Sequence, residues 1–64
     1  MRKVEVGQLY KKAGASWTVW EVVEEFADRD RIRHFRLRDL KDPTNTKLVS
    51  ERALANAKLF QPVT

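Results

Sequence analysis

Sixty-four residues with no cysteine, thirteen basic and nine acidic side chains and a net charge of +4 make one small domain, residues 1–64, that neither disulfides nor a Cys/His zinc array can staple. No apolar run approaches the ~20 residues a membrane-spanning helix needs, and the basic start Met1-Arg-Lys3 is followed by no apolar stretch of the secretory-signal kind. The expectation is a soluble cytoplasmic protein with a small core and no membrane partner.

The charge is blocked along the chain: residues 1–20 carry +3, 21–30 carry −4, 31–42 carry +3 and 43–64 carry +2. Elements follow the same punctuation. Residues 7–11 start after a glycine and form a first strand, and residues 12–16 are small and polar enough for a loop around Gly14. Residues 17–26, rich in Val, Trp and Thr, suit a pleated surface. Residues 27–30 make a tight turn, and residues 31–40 supply the next strand. Lys41-Asp-Pro-Thr-Asn45 is a turn, because Pro43 fixes φ while Asp42 and Asn45 favour local side-chain bonds. Residues 46–49 form a short strand, Ser50 opens a helical turn over residues 50–54 as its N-cap, and residues 58–61 close the chain as a last strand. A competing reading makes residues 50–60 one continuous helix packed on the sheet. Short strands at regular spacing read as an all-β barrel or sandwich.

A register follows if Ala27 pairs with Asp30. Val22 then opposes Phe35 and Trp20 opposes Leu37, giving four apolar side chains on one face. The other face pairs Glu21 with Arg36, Val23 with His34, Glu25 with Ile32 and Val19 with Arg38. A one-residue slip would set Val22 and Trp20 against arginines, so the first register is favoured. Within the run Arg31-Ile-Arg-His-Phe-Arg-Leu-Arg38, Phe35 and Leu37 face the core and His34, Arg36 and Arg38 face out. Arg31 and Arg33 share the inward parity near the hairpin tip.

The segments Gly7-Gln-Leu-Tyr10, Trp17-Thr-Val-Trp20, His34-Phe-Arg-Leu37 and Leu48-Val-Ser-Glu-Arg-Ala-Leu54, in that order, resemble the SH3-like barrel of small bacterial proteins. The likeness lies in architecture and apolar spacing. It implies a single barrel of about five short strands with one helical turn before the last, and leaves the ligand open. Peptide-binding SH3 domains use an acidic loop, and Lys11 and Lys12 stand near its place here. Lys11-Lys-Ala-Gly-Ala-Ser-Trp17 also looks like a stretch of the plasmid-encoded dihydrofolate reductases built on this barrel. Their pore glutamine and tyrosine have no counterpart, since that region reads Thr46-Lys-Leu-Val49.

Chemistry-bearing patterns are sparse. His34 is the single histidine, with no second soft ligand nearby for a metal. Glu24 and Glu25 point to opposite faces of a strand and cannot act as an acid–base pair. Ser16 and Ser50 lack a nucleophile turn, and no phosphate-binding glycine loop exists. No enzyme activity, cofactor or metal is expected. The sequence reads instead as a basic binding module for RNA or DNA, with Lys11, Lys12, Trp17, Arg33, Arg36, Arg38 and Lys41 as candidate contacts. Guanidinium and ammonium groups would meet phosphates and Trp17 would stack on a base. The alternative is a protein-interaction or self-associating module in which Glu21–Arg36 is a surface pair and Trp17 lies in a subunit contact.

Overall fold

A computed structural model describes residues 3–14, 18–27 and 29–63. Trp17, with Ala15 and Ser16 of the expected loop, and Asp28 of the expected tight turn lie outside the described residues. Five strands and one helix follow one another: β1 (Leu9–Lys12), β2 (Val19–Ala27), β3 (Arg33–Asp39), β4 (Thr46–Ser50), α1 (Glu51–Ala55) and β5 (Phe60–Pro62). All neighbours are antiparallel, in the order β4-β3-β2-β1-β5. This is the all-β class with about five short strands and a helical turn before the last. The sheet stays open, however, where a closed barrel was expected. No ladder joins β4 to β5, and α1 lies between these two edges, packed on β3, β4 and β5.

The core forms on one face of the sheet. Tyr10, Trp20, Val22, Phe35, Leu37 and Phe60 contribute from the strands, Leu54 from α1 and Val4 from the N-terminal segment. Gly7, at φ 97°, lets that segment turn so that its N–H reaches the Val22 carbonyl at 2.8 Å. The buried Tyr10 hydroxyl donates to Gln8 Oε1 at 2.9 Å, which removes the penalty of burying it unpaired.

Helix α1 begins as its sequence indicates: Ser50 Oγ accepts from the Ala53 N–H at 3.2 Å. It stops at Asn56 instead of continuing to residue 60. The Asn56 side chain and carbonyl accept from Lys58, Leu59 and Phe60, turning the chain into β5. The turn after β3 also uses the expected chemistry. Asp42 accepts from the N–H and hydroxyl of Thr44, and its carbonyl accepts from the Asn45 N–H. Buried Asp39 accepts from the Lys41 N–H at 2.8 Å and from Asn45 Nδ2 at 3.3 Å.

The β2–β3 register differs from the expected one. Ala27 pairs with Arg33, not Asp30, because the connection runs over residues 28–32 and passes through Arg31 at φ 61°. Val22 therefore faces Leu37, Trp20 faces Asp39 and Glu21 faces Arg38. Val19 lies beside Leu40, whose N–H it accepts at 3.1 Å. This displacement of two residues keeps the core parity intact, so Phe35, Leu37, Val22 and Trp20 are still buried on one face. A β-bulge between Val22 and Glu24 then takes up Val23, and Glu24, Glu25 and Phe26 pair with Arg36, Phe35 and His34.

Candidate functional site

The arginines of β3 are tied to carboxylates. Arg38 Nη2 donates to Glu21 at 2.8 Å. Arg36 Nε stands 3.1 Å from Glu24 Oε1 without making a hydrogen bond, and its guanidinium lies 5.4 Å from the centroid of the Phe26 ring. The bulge makes this arrangement possible. It turns Glu24 to the outer face to meet Arg36, and leaves Glu25 opposite Phe35, where it meets Arg33. Arg33 donates to Glu25 on β2 and to Glu51 on α1, with its guanidinium 5.2 Å from the Phe35 centroid. The hydrogen bond to Glu25 is the largest influence holding the Arg33 guanidinium above its ordinary pKa; desolvation opposes it, and the charges of Glu25 and Glu51 add to it.

The lysines are placed differently. Lys11 pairs with Val19 on one side and Gln61 on the other, and Val19 in turn bonds Leu40, the residue before Lys41. Lys12 pairs with Phe60, and the Ala13 N–H reaches the Leu59 carbonyl at 2.8 Å, which brings Lys58 beside the β1–β2 connection. The register thus collects Lys11, Lys12, Lys41 and Lys58 at one end of the sheet. All four are exposed, and none has an ion pair among the described residues. Arg33 and Arg36 lie toward the opposite end, where β2 turns into β3, and Arg38 lies between the two groups.

The seven candidate contacts therefore separate into three free lysines, three paired arginines and Trp17, which is outside the described residues. Lys58 was missed from sequence because it joins the group only through the β1–β5 pairing, and no local pattern announces that contact. Lys47, half-buried, is engaged elsewhere, with its ammonium 4.3 Å from the Trp20 centroid.

Among the described residues no element covers the outer face of the sheet. Leu48 (59% exposed) and Phe26 (36%) stand there among Arg36, Glu24, Arg38 and Glu21. Around Leu48 and Phe26 the arginine and glutamate charges are matched pair by pair. Among the described residues there is no pocket, no cluster of His, Cys, Asp and Glu suited to a metal ion, and no helix long and apolar enough to cross a membrane. Comparison with protein-family models, curated proteins and solved structures finds no match to this chain.

Proposed function

We propose that this chain is a small nucleic-acid-binding module that contacts the phosphate backbone through its lysine end. The observation carrying the reading is the gathering of Lys11, Lys12, Lys41 and Lys58, exposed and without carboxylate partners among the described residues, while the β3 arginines are occupied. Mobile ammonium groups act as point charges toward phosphate, so the binding is driven by counterion release and reads little sequence. Trp17, three residues after Gly14, is the aromatic on which a stacking contribution is to be tested. The strand order and the helical turn before β5 support an SH3-like topology with an open sheet. The lack of cysteine suits a reducing cytoplasm.

Anisotropy titrations of labelled single- and double-stranded oligonucleotides at low and moderate salt test the proposal. Binding tighter than ~100 μM is expected at low salt, falling steeply as salt rises. Lys11→Gln with Lys12→Gln and Lys58→Gln weakens it by about tenfold or more, whereas Arg36→Gln with Arg38→Gln changes it by no more than about twofold. Failure to bind at low salt removes the reading.

The outer face, which no described element covers, favours a second reading, a protein-contact module. Leu48 and Phe26 among balanced Arg/Glu pairs resemble the apolar-plus-Arg composition of protein interfaces more than a phosphate-binding surface. Under this reading, substitutions at Leu48 and Phe26 abolish partner binding and the lysine substitutions leave it unchanged.

A further inference from the structure

The two edges of the sheet are finished in opposite ways. On β5 the bonds from Ala13 to Leu59 and from Val63 to Leu9 turn the backbone of those alternate residues toward β1, which leaves Phe60 and Pro62 facing outward. Neither offers a donor there: the Phe60 N–H is taken by the Asn56 carbonyl, and Pro62 has none. On β4 the Asp39 N–H donates to the Asn45 carbonyl at 3.0 Å and marks that pair as hydrogen-bonded. Stepping along the ladder, Leu37–Lys47 and Phe35–Val49 are the next such pairs. The backbone groups of Thr46 and Leu48 and the N–H of Ser50 therefore point away from β3, while the Ser50 carbonyl, at the N-cap, opens α1. Leu48, in the middle, is the most exposed large hydrophobic residue among those described.

The geometry points to this β4 edge as the docking site of a second copy of the same chain, paired antiparallel about a two-fold axis at Leu48. In that register Leu48 meets Leu48, Thr46 meets Ser50, and Lys47 meets Val49 of the second copy, so the two Leu48 residues exchange both backbone bonds, each Ser50 N–H reaches a Thr46 carbonyl, and no like charges oppose. A register centred on Lys47 would set two ammonium groups side by side. One centred on Val49 would run the pairing into α1, which begins at Glu51. Of these three registers only the Leu48-centred one lacks both faults, and an axis moved to Thr46 would pair little of the five-residue strand. This self-complementarity argues for a second copy over a foreign strand. Lys47, which could otherwise repel a neighbour, is turned to the core side against Trp20. The proposal is independent of the nucleic-acid reading and gives the protein-contact reading one defined occupant.

Five-residue strands paired edge to edge bury far less than the ~1,200 Å² of a stable interface, so the dimer is weak. Sedimentation equilibrium from about 10 μM to about 1 mM reads it, with the mean mass approaching about twice the monomer's at the upper end. Over the same range the exchange of the Leu48 amide with solvent slows. Leu48→Pro removes only an outward N–H and no bond to β3, so it keeps the sheet and holds the protein at monomer mass. Leu48→Lys puts like charges on the axis and gives the same result, which covers the case in which the proline variant does not fold. Monomer mass throughout for the unaltered protein overturns the proposal. So does a dimer that survives both variants, or a monomer whose Leu48 amide is protected only by an unrelated extended peptide. None of these outcomes bears on oligonucleotide binding.

Discussion

The guanidinium of Arg33 joins Glu25 on β2, Glu51 on α1 and the ring of Phe35, and so ties the hairpin to the helix that covers the core. Arg36 and Arg38 each serve one carboxylate on the neighbouring strand. Exposed single pairs of that kind are each worth about 0–1 kcal/mol. Arg33→Met, by contrast, leaves two carboxylates converging with no cation between them. Urea unfolding should therefore show a larger fall in midpoint for Arg33→Met than for Arg36→Met or Arg38→Met, and part of the Arg33 effect should be recovered by adding Glu51→Gln. The pH dependence has a definite sign. The folded guanidinium is held above its ordinary pKa, so its contribution is complete at neutral pH and is lost only as pH rises through the raised value. The side to which each β3 residue points could be read from the alternation of Phe35 and Leu37 with the arginines. The carboxylate each arginine meets could not, because Glu51 lies 18 residues from Arg33 and reaches it only through the packing of α1.

Among the elements, those built from local chemistry were legible and those set by pairing were not. The N-cap at Ser50 and the turn around Pro43 are satisfied within a few residues, and both stand where their side chains indicate. The β2–β3 connection depends on Arg31 adopting φ 61°, a conformation ordinarily marked by Gly or Asn, and the bulge at Val23 carries no residue signature. Relieving the first of these strains should help: Arg31→Gly is expected to stabilise the protein by about 0.5–1 kcal/mol, read as a raised urea midpoint. The helix makes the opposite case. Ser50→Ala removes the acceptor for the Ala53 N–H and should cost about 1 kcal/mol. Leu54→Ala empties a fully buried site and should cost about 2–5 kcal/mol. A domain this small has only about 5 kcal/mol in hand, so Leu54→Ala is expected to lose its cooperative thermal transition near room temperature.

At the scale of the whole molecule, net charge and usable charge have different addresses. The sequence places its densest arginine run in β3, yet Arg33, Arg36 and Arg38 are matched by Glu25, Glu51, Glu24 and Glu21, so the run adds little field beyond the sheet. What remains unmatched on the described surface includes Lys11, Lys12, Lys41 and Lys58, brought to one end by the β5-β1-β2-β3 pairing. Counterion release makes that difference measurable. If four ammonium groups each neutralise one duplex phosphate, the logarithm of the association constant should fall with the logarithm of salt at a slope of about −3 to −4. Each Lys→Gln substitution at that end should then reduce the steepness by about 1. Arg36→Gln should not, because its guanidinium is already held beside Glu24 and releases no phosphate counterion. A slope that responds to Arg36 and Arg38 but not to the lysines would mean that these ion pairs open on binding, and would return the contact surface to the outer face of the sheet.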